Sequence, residues 1–281
     1  MKIAIVTDST CDLSPDIAAA RGFEIVPLHI LWGTRSYTDG VDMTAEMFYE
    51  RLARDPELPK TSQASPGEIV DKFHQALDKQ KADAVVCITL GRHLSGTYAS
   101  AEAARGLVNF PVELVDTRMV SLALGFIVLA AVDVRDQGGS LEDVVLAAQR
   151  AADHSQFIFT LNTLEYLYRG GRIGGARRFI GTALSIKPVL HLKDGEADVL
   201  ESIRTRRRAV ARLVELAAQY KDRRPLSLGV VHSGAPELAD VSQEMQAILK
   251  PDYFQQTLVC PPIGVHAGPG AIGFAVQYGP S

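Results

Sequence analysis

Cysteine is scarce in this chain of 281 residues. There are three, Cys11, Cys87 and Cys260, scattered and odd in number. Neither a CxxC pair nor an HExxH string occurs, which argues against a zinc site. Isolated thiols suit a reducing compartment, so a cytoplasmic location is expected. No GxxxxGK[ST] loop is present, no strand-to-helix dinucleotide fingerprint, and no GxSxG elbow around the candidate serine, where position 93 is His and position 97 is Thr. The usual nucleotide and hydrolase signatures are therefore missing. An excess of basic charge is missing too. With 29 Lys+Arg against 33 Asp+Glu the formal net charge is −4, which gives no reason to expect nucleic acid. The longest apolar run, VSLALGFIVLAAV (120–132), is too short to span a bilayer and reads as a buried helix. The opening MKIAIVTDST is broken early by Asp8 and reads as a first strand, not a signal peptide.

What is present is a regular alternation. The chain is 47% hydrophobic and 22% charged, the balance of a soluble globular protein long enough for two domains. Strands are expected at 3–6, 23–30, 84–90 and 112–115. Helices are expected after Ser14-Pro15, from Thr44 to about 52, from Ser65-Pro66-Gly67-Glu68 to about 79, and at 97–107, 119–136 and 141–153. Ser65 with Glu68 spells a capping box, and proline after serine suits the first helical position. The alternation predicts an α/β fold with a mostly parallel sheet flanked by helices. Polar loops follow the strand C-termini, TDST (7–10), LGRHLSGT (90–97) and DTR (116–118), where open α/β sheets bind ligands. Beyond about residue 155 the texture changes. A strand at 157–161 is followed by a Gly/Arg-rich stretch, a hairpin turning at Asp194-Gly195, a helix near 205–220, and further strands at 226–232, 254–260 and 271–277 around a helix at 236–249. Two α/β domains are expected, 1–155 and a smaller mixed unit, 156–281.

Four clusters carry chemistry. Ser95-Gly96-Thr97 lies at a strand-to-helix turn, where free N–H groups and the positive helix end gather; it suits a carboxylate or phosphate, or Ser95 merely caps the helix. Thr61 and Ser62 precede a helix in an irregular stretch and could face the same sheet edge. His266 sits in the glycine-dense Ile263–Gly273 loop, where the backbone is expected to approach something closely. Arg169, Arg172, Arg177 and Arg178, with Arg206, Arg207 and Arg208, form basic runs that are either solvated faces or a docking surface.

Taken in order, TDSTCDL (7–13), YTDGVD (37–42), KTSQASP (60–66), LSGTYASA (94–101), LVDTRMVSLALG (114–125), TLEYLYRGGRI (163–173), KPVL (187–190) and HAGPGAIG (266–273) resemble the DegV family over essentially the whole chain. Members of that family include the fatty-acid-binding subunits of bacterial fatty acid kinase. The family's last block commonly carries a second histidine; here His266 is followed by Ala267. The resemblance implies two α/β domains holding a long-chain fatty acid. Thr61, Ser95 and His266 would bind its carboxylate, with Ser62, Gly96 and Thr97 beside them, and the tail would run into the second domain. It also implies that the protein is a lipid-binding carrier and not itself an enzyme. A separate ATP-holding kinase subunit would convert the presented acid to acyl-phosphate, as part of phospholipid metabolism. No cofactor, metal or nucleic acid is expected. Arg172, Arg206, Arg207 and Arg208 would serve docking to the kinase subunit or to an anionic membrane surface. The alternatives are a serine hydrolase using Ser95 with His266, and a lipid sensor without a kinase.

Overall fold

The computed structural model describes residues 1–179 and 186–279. In chain order the strands are β1 (Ile3–Asp8), β2 (Phe23–Val26), β3 (His29–Trp32), β4 (Arg35–Thr38), β5 (Lys60–Ser62), β6 (Ala84–Thr89), β7 (Val112–Asp116), β8 (Ser155–Thr160), β9 (Val189–Lys193), β10 (Glu196–Glu201), β11 (Leu226–His232), β12 (Tyr253–Leu258) and β13 (Ile272–Tyr278). The helices are α1 (Pro15–Arg21), α2 (Ala45–Leu52), α3 (Pro66–Gln80), α4 (Thr97–Arg105), α5 (Leu122–Asp136), α6 (Leu141–Asp153), α7 (Glu165–Arg169), α8 (Arg206–Ala217), α9 (Leu238–Leu249) and α10 (Pro261–Ala267).

Three sheets organise these elements. The first is parallel, in the order β2-β1-β6-β7. Its central strands β1 and β6 are buried along their whole length, as unbroken apolar runs covered on both faces should be. A second sheet of six strands runs β10-β9-β8-β13-β11-β12 and is antiparallel except between β11 and β12. Helix α5 is apolar nearly all round, and it packs against strands of both sheets. This is how a uniformly apolar helix is accommodated without a membrane. Among the described residues no helix is long and apolar enough to cross a bilayer.

The third sheet, β4-β3-β5, is antiparallel and departs from the sequence expectation. The stretch FEIVPLHI (23–30) reads as one strand but forms two. The segment breaks at Pro27-Leu28; β2 stays in the parallel sheet, and β3 leaves to begin the small sheet. A second departure is α10. The segment around His266 reads as a glycine-rich loop, yet Pro261 and Pro262 open a short helix and Gly268 ends it. A third is the start of α5, at Leu122 and not 119, because Ser121 holds φ 59 and cannot begin the helix. The expected caps at Ser14, Thr44 and Ser65 are in place, and Asp194-Gly195 turns the β9–β10 hairpin with both φ values positive.

Candidate functional site

Three chain segments converge at the C-terminal edge of the parallel sheet. The turn after β6 brings Ser95. Its Oγ lies 2.9 Å from Thr97 Oγ1 and accepts the Thr97 N–H at 3.3 Å. The N-cap of α4 is Gly96, with no side-chain cap of its own. Ser95 therefore touches only the first helical amide, from one position outside the cap. Helix capping leaves most of its hydroxyl's capacity unused.

Strand β5 brings Thr61, held opposite Ile30 of β3. Thr61 Oγ1 and His266 Nε2 share a hydrogen bond of 3.0 Å across 205 residues of sequence. Ser62 is half-buried beside it, and its Oγ donates to the Gln63 carbonyl. The Gln63 side chain then lies against Gly96: a Cβ there would meet Gln63 Nε2 at 2.8 Å. Glycine at 96 is thus what lets the Thr61 segment close on the Ser95 segment.

Helix α10 brings His266. Its Nδ1 is buried, has no partner among the described residues and abuts Gly170, where a Cβ would fall 2.0 Å from the nitrogen. Burial, with the Arg172 charge as a second cause, pushes the imidazole down to about 4, so it is neutral at pH 7. Arg172, grouped by sequence with the docking arginines, is placed here instead. Its Nε donates to the Leu94 carbonyl and its Nη1 to that of Gly170.

These groups line a chamber together with Thr10, Leu28, Leu90 and Pro262. A second chamber is lined by Phe157, Phe159, Leu161, Leu167, Leu192, Val231 and other apolar groups, about half of them from the six-stranded sheet. Leu94, Val120, Arg172 and Ile263 line both, so the two spaces are neighbours that share a wall. Among the described residues Arg172 is the one Lys, Arg, Asp or Glu on either wall. Thr97 is buried beside Ser95 without reaching the wall. Gln63, Thr10 and the placement of Arg172 were missed by sequence reading. The proline pair at 261–262 was the available signal for α10.

A hydrolase would need Ser95 bonded to His266, and His266 oriented by an acid or amide. Ser95 is partnered by Thr97, His266 by Thr61, and among the described residues no group orients Nδ1. Gly268-Pro-Gly-Ala-Ile-Gly273 has the letters of a dinucleotide fingerprint, but it runs from helix to strand, the reverse of the order that cradles a pyrophosphate. Among the described residues no group of three or more His, Cys, Asp or Glu is placed to hold a metal ion. The basic helix α8 lies apart from these walls. Arg206 makes a paired contact with Glu237, both hydrogen bonds 3.0 Å, whereas Arg207 and Arg208 are exposed and carry no ion pair among the described residues.

Fold and site together define an α/β protein with a polar-mouthed, apolar-walled double chamber. The chain belongs to the DegV family: residues 2–279 match the profile described as uncharacterised protein, DegV family. It is 34% identical to a DegV domain-containing protein of Streptomyces coelicolor, over 98% of each chain. Among solved structures it is similar to a DegV family protein from Thermus thermophilus described for its fatty acid binding. That match has a TM-score of 0.92 and 33% identity, covering 99% of this chain and 100% of the other. It is also similar to DegV of Bacillus subtilis, described as a fatty acid binding protein, with a TM-score of 0.89, 31% identity and the same coverage.

Proposed function

We propose that this protein binds a long-chain fatty acid and presents its carboxylate to a separate ATP-holding kinase subunit, which phosphorylates it to acyl-phosphate. The observation that carries the binding half is the adjacency of the two chambers, one walled by hydroxyls, an imidazole and a guanidinium, the other almost wholly apolar. A fatty acid has that polarity. Its carboxylate would lie among Thr61, Ser95 and His266, with Ser62, Gly96 and Thr97 shaping the surroundings and Arg172 supplying positive charge. Its tail would lie between Phe157, Phe159, Leu192 and Val231. On this reading 1–155 supplies most of the mouth and 156–281 most of the tail chamber together with His266.

Magnitudes divide the work. Each methylene removed from water contributes about 0.8 kcal/mol, so a sixteen-carbon chain offers on the order of 10 kcal/mol before the costs of binding. The net worth of a hydrogen bond is about 1 kcal/mol. The tail supplies affinity and the mouth supplies position. Presentation to a kinase is supported by the exposure of Gln63 and the half-burial of Ser62 and Ser95, which leave the mouth near the surface. Docking to the kinase subunit, or transiently to an anionic membrane, is assigned to Arg207 and Arg208, with Arg206 braced behind them by Glu237.

Solvent extraction and mass analysis of the purified protein tests the binding. Near-stoichiometric long-chain fatty acid is expected without any being added. No lipid, together with failure to reload with palmitic acid, would sink the proposal.

A further inference from the structure

The loop TDSTCDL (7–13) lies beneath the polar chamber, and only Thr10 of it reaches the wall. Asp8, at the end of β1, is 1% exposed, and Asp12 is 8% exposed. Buried carboxylates are costly unless they are well hydrogen-bonded. What they hold is informative. Asp8 Oδ2 accepts the N–H of Leu90 at 2.8 Å, and Leu90 begins the turn that carries Ser95. Ser9 Oγ accepts the N–H of Leu28 at 3.1 Å. Leu28 enters β3, the strand on which Thr61 is held in register. Asp12 Oδ1 accepts the N–H of Cys260 at 2.9 Å, and Cys260 is the N-cap of the helix that carries His266. That helix has no hydrogen-bonded side-chain cap of its own. Asp12 Oδ2 is anchored in turn by the hydroxyl of Ser121, whose positive φ lets it face the loop.

Three side chains of one five-residue loop therefore grip three backbone N–H groups. Each of those groups stands at the entrance of a different arm of the mouth. We infer that Asp8, Ser9 and Asp12 are positioning residues that set Ser95, Thr61 and His266 in register, one residue to each arm. The inference rests on the reading of those three groups as the carboxylate site. None of the positioning groups needs to touch the ligand. Each acts through an amide that its own arm cannot otherwise satisfy.

The test uses the full chain loaded with palmitic acid carrying a carbon-13 label at its carboxyl, followed by NMR across pH. Ser95→Ala, Thr61→Ala and His266→Ala give the reference signals for a missing group. Asp8→Asn should move the bound carboxyl signal and its titration toward those of Ser95→Ala. Ser9→Ala should move them toward Thr61→Ala, and Asp12→Asn toward His266→Ala. Palmitate affinity should fall no more than about fivefold in each, since the tail is untouched. Asparagine keeps one carbonyl acceptor, so Asp12→Asn should shift the signal less than Asp12→Ala. Should the aspartate variants not fold, Ser9→Ala and Ser121→Ala each delete a single hydroxyl and carry the same contrast between the Thr61 and His266 arms. Wild-type signals in the loop variants, or one common shift in all of them that follows thermal stability, would overturn the inference. If the three reference variants themselves leave the signal unmoved, the carboxylate site is misplaced and the inference falls with it.

Discussion

The two chambers are built in opposite ways. The apolar one is walled in large part by neighbouring strands of the six-stranded sheet, whose alternation and registry already turn Phe157, Phe159, Leu192 and Val231 to one face. The polar one is assembled from segments that share no secondary structure: a turn after β6, the short strand β5, and the helix α10. An apolar wall tolerates exchange of one hydrocarbon group for another, because burial is non-directional. A hydrogen-bonding mouth does not, because its donors must meet at one point within a few tenths of an ångström. The first should fail by losing affinity and the second by losing alignment.

The largest effect should come from filling the apolar chamber. Ala271→Phe, on its wall, should cut bound fatty acid by tenfold or more, roughly the share of binding that several buried methylenes contribute. Isothermal titration with palmitate checks this, and an unchanged affinity would place the tail elsewhere. Next come the mouth substitutions. Ser95→Ala, Thr61→Ala and His266→Ala should retain lipid, while acyl-phosphate formation with the kinase subunit falls on the order of a hundredfold, as misplacement of a reacting group does. Gly170→Ala should resemble His266→Ala, since its Cβ would stand 2.0 Å from Nδ1.

A smaller effect separates the mouth's imidazole from two buried acids, Asp12 and Asp39. The His266 imidazole is pushed down to about 4, chiefly by burial. In the lipid-free protein the unfolded chain therefore takes up a proton first, and stability should be lost as pH falls from about 6.5 toward 4. Burial pushes Asp12 up to about 6 and Asp39 up to about 7, which has the opposite sign: acidification over the range below 7 stabilises. Thermal melts of His266→Asn should lack the acid-side loss. Asp39→Asn should gain stability relative to wild type mainly above pH 7. Matching pH profiles in both variants would remove the distinction. The smallest effect on lipid content should come from Arg207→Glu with Arg208→Glu. This pair should leave bound fatty acid unchanged while weakening association with the kinase subunit or anionic vesicles, measured by co-sedimentation.

Legibility in the sequence follows the same division. Strands such as β6 and β11, and the helices capped by Ser14, Thr44 and Ser65, announce themselves because burial and capping leave local marks. Ser95, Thr61 and His266 were each visible as out-of-place polar residues, and the family resemblance linked them. Their meeting was not visible, because it depends on tertiary contacts such as Thr61 with His266. Strands β3, β4 and β5 have four, four and three residues, too few for a period to show. Arg172 sits in an arginine-rich stretch that reads as surface, and only its bonds to the Leu94 and Gly170 carbonyls turn it inward. Arg206 read as exposed for want of any sign that Glu237, on the segment before α9, would face it.

The most direct test of the two-chamber account is a crystal structure of the full chain with palmitic acid. The account predicts carboxylate oxygens within hydrogen-bond distance of Ser95 Oγ and Thr61 Oγ1, and continuous acyl density past Leu94 and Ile263 to the walls of Phe157 and Leu192. Acyl density outside the apolar chamber, or a carboxylate away from those hydroxyls, would contradict it.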